Sequence, residues 1–285
     1  MTKPVNRALQ FTWNKPAHEQ LQEPKQCRIL VLGVGGAGNN TINRLMEMGV
    51  DGAECIAINT DVQHLNATHA THKVLIGEKT TRGLGAGGNP EVGRAAIEES
   101  KEKLESLLAG TDIAFITTGL GGGTGTGAAP IVAEIARRSG AVVVGVVTMP
   151  FRIEKGRDEY AIKGLNDMRR KCDTVVVIDN NKLLDFVPQL PLNEAFKVAD
   201  QVLANMIKGV VETISAPSLI NLDFADFKTI VGKGGVAVVG VGESDAPNRA
   251  EEAVQNALRN PLLDVDYAGA TGAVSYTHLT LPTKA

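Results

Sequence analysis

The chain has 285 residues, 43% of them hydrophobic and 21% charged, and a formal net charge of −3. This length can hold one large domain or two modest ones, and the composition is ordinary for a soluble globular protein. The weak negative charge and the lack of a basic run give no reason to expect a nucleic-acid partner. The longest apolar run, residues 141–149, is too short to span a bilayer, so we expect no direct membrane insertion.

Residues 1–26 are polar, contain three prolines and lack hydrophobic periodicity, which predicts a disordered N-terminal tail. The tail includes Trp13, the only tryptophan of the chain, so a short partner-binding motif is the alternative. The first residues form no apolar stretch of the kind found in signal peptides. We therefore expect a cytoplasmic protein.

From residue 27 onwards, near-continuous apolar runs alternate with helical patterns. The runs predict buried strands at 28–32, 53–58, 73–76, 113–117, 141–148 and 174–178. Strands that are apolar on both faces need cover on both sides, and strands alternating with helices are typical of parallel sheets. The sequence therefore predicts the α/β class, with a doubly wound parallel sheet. In such sheets, ligands bind at the carboxyl ends of the strands.

Three helical patterns are clear. Residues 90–108 have Asn89 placed as N-cap and Pro90 at the first helical position. Residues 128–138 follow a glycine-rich loop, with Gly140 as a stop signal. Apolar residues keep helical spacing over 192–214, which predicts a long helix.

Glycine-rich loops at 33–38, 83–88 and 119–127 each follow a predicted strand. Glycine lets the backbone approach a ligand closely, and N–H groups at a helix N-terminus attract phosphate. The first loop fits G-x-G-x-x-G, which alone suggests a dinucleotide site with Asp61 as the acidic residue. Three such loops at one sheet edge suit a longer polyphosphate tail better.

These loops belong to a longer series of motifs. The series is GGAGNN at 35–40, NTD at 59–61, RGLGAGGNP at 82–90, GGGTGTG at 121–127, PF at 150–151 with Glu154, and NLDFAD at 221–226. In this order the motifs resemble the FtsZ proteins of the tubulin/FtsZ superfamily. VIDNNKL at 177–183 and PSLIN at 217–221 are most similar to archaeal members. The resemblance covers roughly residues 27–273.

The resemblance implies a Rossmann-like GTP-binding domain at 27–190 and a long central helix at 191–216. The catalytic loop and the start of a second domain would follow at 217–273, including an apolar strand at 236–241. The second domain would be truncated, because residues 274–285 depart from the family pattern. We interpret this last segment as a non-native tail, with a genuine variant tail as the alternative.

The resemblance also implies contacts to the phosphates of GTP or GDP. With the NTD segment at 59–61 counted as the second loop, the loops at 33–38, 83–88 and 119–127 are the first, third and fourth. The phosphate contacts come from these three, at Gly36, Ala37, Gly38, Asn39, Ala86, Gly87, Gly88, Gly123, Thr124 and Gly125. Mg²⁺ is expected on the phosphates, near Asn59 and Asp61 of the second loop, without direct ligation by the protein.

The sugar and base would be held by a second group of residues. Asn40 matches a purine or ribose contact, Glu154 a ribose contact, and Arg157 an arginine near the base and phosphates. Asn180, Phe196 and Asp200 match positions around the base. A carboxylate can accept from the ring N–H and the exocyclic amine of guanine together, whereas adenine offers an acceptor there. Phe196 could stack on the ring, or be an ordinary core aromatic.

The catalytic candidates are Asp223 and Asp226, with Asn221 beside them. Two carboxylates three positions apart share one face of a helix and can orient a water molecule or hold a cation. Because they follow the long helix, away from the phosphate loops, one chain cannot bring them to its own nucleotide. The resemblance implies that they complete the site of the next subunit. An Asp cap on the following helix is the alternative.

The implied function is hydrolysis of GTP to GDP and phosphate by a protein that polymerises head-to-tail into filaments of the cell-division ring. The chain itself would be its main partner, at the division site in the cytoplasm, together with division-site and membrane-tethering proteins that the sequence does not identify. Two alternatives are a GTP-binding scaffold with little hydrolysis and a fragment that cannot polymerise.

Overall fold

A seven-stranded parallel sheet forms the centre of the protein. The computed structural model describes residues 27–182, 191–215, 224–232, 234–238, 240, 242, 244–258, 270 and 272–273. Its strands are β1 (Ile29–Val34), β2 (Ala53–Asn59), β3 (His72–Leu75), β4 (Ile113–Gly119), β5 (Val142–Met149), β6 (Thr174–Asp179) and β7 (Val236–Ala237). The order across the sheet is β3-β2-β1-β4-β5-β6-β7, and all neighbours are parallel.

Helices connect the strands and follow them. They are α1 (Gly35–Met48), α2 (Val62–Ala67), α3 (Glu78–Thr81), α4 (Pro90–Glu99), α5 (Lys101–Leu108), α6 (Thr124–Arg138), α7 (Asp158–Lys171), α8 (Leu192–Ser215), α9 (Phe224–Val231) and α10 (Arg249–Leu258).

The sheet buries both faces, because successive strand residues point to opposite sides. Leu30 and Leu32 of β1 pack with residues of α4, α5, α6 and α7 in one core. Ile29 and Val31 pack with residues of α1, α8 and α9 in the other core. This arrangement confirms the predicted doubly wound parallel sheet. Each of the first six strands lies within two residues of its predicted bounds.

The predicted helix at 90–108 is two helices, with a break at Ser100. At the break, the side chains of Glu99 and Ser100 form hydrogen bonds to the backbone at the start of α3. The Glu99 carboxylate accepts from the backbone N–H groups of Lys79 and Thr80, and Ser100 Oγ accepts from Gly77 N. Asn89 caps the first of the two helices by accepting from Glu91 N at 2.9 Å, as predicted.

Helix α6 begins at Thr124, four residues before the predicted start at 128. Gly127 N donates to Gly123 O at 3.0 Å, so the end of the glycine-rich loop is the first helical turn. A Cβ on Gly127 would lie 2.0 Å from Pro90 O, so this turn packs directly on the backbone of α4.

Helix α8 runs from the carboxyl ends of the strands to their amino ends. Near its start, Phe196 packs edge-to-face on Phe151, which follows β5, with ring centroids 4.8 Å apart. Its last residue, Ser215, lies against Gly52, which precedes β2. The long helix predicted at 192–214 is therefore confirmed, and it links the two ends of the strands.

The remaining expectations concern the ends of the chain. Val236–Ala237 pairs with β6, so the first residues of the predicted strand at 236–241 extend the same sheet. The predicted tails at 1–26 and 274–285 lie outside the described residues, as do Asn221 and Asp223. Among the helices that the structure describes, none is long and apolar enough to cross a membrane.

The contact between α4 and α6 predicts a large effect at Gly127. In Gly127→Ala, the new methyl group would meet Pro90 O, so the two helices must separate. We expect the free energy of unfolding to fall by about 1–3 kcal/mol in urea denaturation.

Gly209→Ala is the matched control. Gly209 is exposed within α8, and apart from its chain neighbours and the nearby backbone of its own helix, no described atom lies within 4 Å of the position that a Cβ would take there. Alanine should raise stability there by up to about 1 kcal/mol. Equal effects of the two substitutions would contradict the proposed helix contact.

Candidate functional site

The first and fourth glycine-rich loops touch at the carboxyl end of the sheet. β1 leads directly into α1 at Gly35, which has φ +75° and whose added Cβ would lie 2.8 Å from Gly125 N. An added Cβ on Gly119 would lie 2.7 Å from the Cβ of Ala37. Atoms of each loop thus occupy the space that a side chain of the other would need.

The second and third loops join the same edge. An added Cβ on Gly123 would lie 2.8 Å from Asn89 N and 2.9 Å from the Cβ of Ala86. The hydroxyl groups of Thr60 and Thr124 form a buried hydrogen bond of 2.7 Å. The structure therefore brings together all four predicted loops.

Two helices begin at this edge with free N–H groups. α1 starts at Gly35 and α6 starts at Thr124, and neither has an acidic residue in its first turn. Within the described residues, no side chain caps either N-terminus. Uncapped N–H groups and the positive ends of helix dipoles attract anions, so this end of the sheet has the features that phosphate binding needs.

The predicted phosphate-binding residues form two groups, one exposed to solvent and one buried. Gly36, Ala37, Gly87 and Gly88 are exposed, so their backbone faces solvent at the loop edge. Gly38, Asn39, Ala86, Gly123, Thr124 and Gly125 are buried where the loops pack together. The arrangement fits phosphate recognition by exposed backbone groups of the first and third loops, on a platform formed by the buried residues of these two loops and the fourth.

The second loop uses its side chains internally. Asp61 Oδ1 accepts from the backbone N–H groups of Gln63 and His64 and so caps α2. Asn59 is buried, and its Oδ1 accepts from Thr60 N and Asp61 N. The described residues contain no group of three or more His, Cys, Asp or Glu side chains that could hold a metal ion.

The predicted sugar-binding residues lie after β5. Glu154 Oε1 accepts from Phe151 N at 2.9 Å, and Glu154 Oε2 accepts from Arg157 at 2.5 Å. Arg157 also lies beside Gly121 of the fourth loop, where a Cβ would approach the Cβ of Arg157 to 2.9 Å. Glu154 and Arg157 are therefore next to the phosphate edge.

The predicted base-binding residues include an unsatisfied polar atom. Asn180 directly follows β6, is 5% exposed, and its Oδ1 has no hydrogen-bond partner among the described residues. A buried polar group without a partner is costly, which is typical of a site that a ligand completes. Phe196 is half-buried against Phe151, so its ring is held in place by an aromatic neighbour.

Asp200 has an unusual acidity. Burial raises the pKa of its carboxyl group from 3.8 to about 7, against the opposing effect of the Arg44 guanidinium. Desolvation of this kind is frequent at functional sites, where a ligand supplies the missing hydrogen-bond donors.

Asp226 lies apart from this edge. It is exposed in the first turn of α9, beside Phe227. The Phe227 ring packs on Phe115, with centroids 6.5 Å apart, in the first half of β4. The phosphate loops follow the other end of that strand, so the structure does not bring Asp226 to them.

The sequence interpretation missed three polar residues of the edge. Thr60 bonds to Thr124, Thr118 Oγ1 donates to Val34 O at 2.9 Å, and His64 lies between Asn40 and Asn59. Adjacent polar residues after an apolar strand were the available signal for the two threonines. His64 follows the NTD motif on a short helix, and its spacing gave no such signal.

Comparisons with known proteins agree with this geometry. The model of the Tubulin/FtsZ family, GTPase domain, matches residues 28–188, and that of the FtsZ family, C-terminal domain, matches residues 235–279. The second match passes residue 273, so the first residues of the predicted non-native tail still align with the family.

Curated relatives include Cell division protein FtsZ 2 of Methanocaldococcus jannaschii, 59% identical over 90% of this chain and 67% of its own length. Cell division protein FtsZ 2 of Haloferax volcanii is 52% identical over 89% of this chain and 63% of its own length. The chain thus spans about two thirds of these relatives.

A solved M. jannaschii FtsZ dimer has a similar structure. It aligns with a TM-score of 0.82 at 54% identity, covering 87% of this chain and 71% of the solved chain. The fold, the loop edge and the two family matches lead to one conclusion: the chain belongs to the tubulin/FtsZ family, and residues 28–188 are its GTPase domain.

Proposed function

We propose that this chain binds and hydrolyses GTP at the four-loop edge and assembles head-to-tail into filaments that act in cell division. The observation that carries the proposal is the meeting of two uncapped helix N-termini, those of α1 and α6, at one edge of the sheet. The relatives' names as cell division proteins and the solved FtsZ dimer support division and self-association.

The phosphates would lie on the exposed backbone of Gly36, Ala37, Gly87 and Gly88. Gly38, Asn39, Ala86, Gly123, Thr124 and Gly125 would shape the platform beneath them. Preorganised N–H groups in this position stabilise negative charge that develops during phosphoryl transfer.

The base and ribose would lie between the residues after β5 and β6 and the start of α8. Asp200 would accept from guanine, Asn180 Oδ1 would gain its missing partner, and the Phe196 ring would stack on the base. Glu154 would bind the ribose, and its hydrogen bond to Arg157 would hold both side chains near the fourth loop. Asn40 would contact the sugar or the base.

Mg²⁺ would be held mainly by the phosphates. The donor set fits this role, because Asn59 and one oxygen of Asp61 are already hydrogen-bonded within the second loop. When bound, the ion would neutralise phosphate charge. Asn59 and Asp61 would act through water molecules and by keeping the second loop in place.

Hydrolysis would require a second copy of the chain. Asp226 of one subunit, with Asp223 and Asn221, would orient the attacking water at the nucleotide of the next subunit. The position of α9 against the first half of β4 supports this role, since it separates Asp226 from its own phosphate loops. A contact of this kind repeats without closing, which gives a filament.

The proposed organisation assigns nucleotide binding to residues 27–190, the link to residues 191–216, and the catalytic loop with the start of a second domain to residues 217–273. Within the last segment, Val236–Ala237 also extends the sheet of the nucleotide-binding domain. In a cell, filaments would act in the cytoplasm at the division site. Division-site and membrane-tethering proteins would bind them there.

Asp200→Asn should make the folded protein more stable above pH 7 but weaken its binding of GTP. In the free protein, the unfolded chain loses the Asp200 proton near pH 3.8, and the folded chain keeps it to about pH 7. The free energy of unfolding therefore falls as pH rises between these values, and this component should vanish in Asp200→Asn. The variant should be the more stable protein above pH 7 in thermal denaturation.

GTP binding should change in the opposite direction. Asparagine presents a donor to the donors of guanine, so we expect calorimetry to show a loss of about 1–3 kcal/mol. GTP affinity of the parent should also rise as pH increases through about 7, because the carboxylate is the better acceptor. An Asp200→Asn chain that binds GTP as tightly as the parent would refute the guanine contact.

Gly123→Val should abolish tight GTP binding while the sheet still folds. Gly123 has φ −78°, so the backbone conformation suits valine, but the side chain would push Asn89 and the third loop away. We expect at least about ten-fold weaker binding, equivalent to about 1.4 kcal/mol. Gly209→Val is the control, because it makes the same chemical change on the exposed face of α8; this variant should bind GTP as tightly as the parent. Unchanged GTP affinity in a folded Gly123→Val chain would exclude the loop platform.

Asp226→Ala should leave GTP binding intact and remove turnover. Glu251→Ala is the matched control, because Glu251 is also an exposed carboxylate in the first turn of a helix. In the parent, phosphate release per chain should rise with protein concentration, since each working site needs two chains.

Mixing gives the sharper test of a shared site. Asp226→Ala chains bind GTP, and Gly123→Val chains retain Asp226, so a mixture forms some complete sites and should recover part of the turnover. A rate per chain that stays constant on dilution would show that each chain works alone. GTP binding without turnover at any concentration would indicate a non-hydrolysing scaffold.

A further inference from the structure

A chain of four hydrogen-bonded side chains runs beside the first loop. With its amide oriented by its partners, Asn39 donates to Gly33 O at 2.9 Å and to Gly35 O at 3.2 Å, and accepts from Asn59 Nδ2 at 3.0 Å. Asn59 Nδ2 also lies 3.1 Å from His64 Nδ1, and His64 Nε2 lies 3.2 Å from Asn40 Oδ1. The chain thus connects the backbone of the first loop to the exposed side chain of Asn40.

The direction of these hydrogen bonds is fixed by the backbone. Asn59 Oδ1 accepts from Thr60 N at 2.9 Å and Asp61 N at 3.3 Å, so the amide nitrogen of Asn59 must face His64. Because that nitrogen is a donor, His64 Nδ1 must accept, and the ring proton is on Nε2. Nε2–H then donates to Asn40 Oδ1.

The backbone of His64 is held as firmly as its ring. Its N–H donates to the Asp61 carboxylate at 3.1 Å, and its carbonyl accepts from Thr68 Oγ1 at 2.9 Å. The ring also lies along the first loop, since an added Cβ on Gly36 would be 3.8 Å from His64 Cε1. The imidazole is therefore a fixed bridge between α2 and the start of α1.

We propose that His64 is a positioning residue for nucleotide binding, which orients Asn40 through a neutral imidazole carrying its proton on Nε2. With Asn40 Oδ1 engaged by His64, the Asn40 amide nitrogen is left to donate. The matching group on the ligand is a hydrogen-bond acceptor of the sugar or base. This role rests on the proposed binding of GTP at the four-loop edge.

The tautomer is tested without nucleotide. A long-range proton–nitrogen NMR spectrum of the imidazole, recorded above neutral pH, should show a proton on Nε2 and none on Nδ1. His64→Gln identifies the signal by its loss. A proton on Nδ1 would overturn the proposed direction of the hydrogen bonds, whatever the protein binds.

Affinity measurements test the action on Asn40. His64→Leu removes both hydrogen bonds and should weaken GTP binding about three- to ten-fold, as expected for one or two neutral hydrogen bonds. Glutamine also carries an acceptor and a donor on one planar group, so His64→Gln should restore most of the affinity. Equal losses in the two variants would overturn the bridging role, as would parent-like affinity in His64→Leu.

A double-mutant cycle separates positioning from simple stabilisation of the fold. If His64 acts through Asn40, then His64→Leu should cause almost no further loss of GTP affinity in an Asn40→Ala background. Fully additive losses would contradict that route. A parent chain that binds no GTP would refute the proposed function instead, and the nucleotide-free spectrum would still decide whether His64 holds Asn40 as described.

Discussion

The close approach of two helix N-termini at one edge of the sheet is the constraint on which the rest of the site depends. α1 and α6 follow neighbouring strands, their first turns contact each other at Gly35 and Gly125, and both turns pack on the end of β4. A Cβ on Gly38 would lie 2.4 Å from Thr117 O, and one on Gly125 would lie 2.3 Å from Thr118 Oγ1. Both positions need glycine for space, since neither has a positive φ. The result is a patch of backbone N–H groups that side chains cannot cover.

Several features at this end of the sheet lower the stability of the ligand-free protein. The first turns of α1 and α6 lack side-chain caps within the described residues, and burial disfavours the charged form of Asp200. Asn180 Oδ1 is likewise buried without a partner in the described part of the chain. An anion and a purine that satisfy these groups would stabilise the folded state by mass action. Ligand binding and folding would therefore be coupled at this end of the sheet.

Much of this arrangement could be predicted from the sequence, because it depends on local patterns. Continuous apolar runs gave the strands of the sheet, and Asn89 followed by Pro90 gave the start of α4. The break at Ser100 could not be predicted in the same way. It depends on Glu99 and Ser100 holding α3, a contact between segments about 20 residues apart in the chain.

The same distinction applies to the site. Glycine-rich loops predicted where phosphate could bind, because glycine marks the positions at which the backbone can approach a ligand closely. The bridge from Asn59 through His64 to Asn40 was not predictable, because it joins residues of three separate elements by side-chain hydrogen bonds. The raised pKa of Asp200 was also hidden, since it arises from packing of α8 and not from neighbouring residues.

The length of α8 has a geometric consequence for any filament. This helix of 24 residues extends about 36 Å at 1.5 Å per residue, and it spans the sheet from Phe151 at one end to Gly52 at the other. α9 comes after α8 in the chain and packs on the amino-terminal half of β4, away from the phosphate loops at its carboxyl end. In the proposed filament, α8 would separate the nucleotide-binding end of each subunit from the end that carries α9, so its length would set the scale of the distance between the two contact surfaces of one subunit.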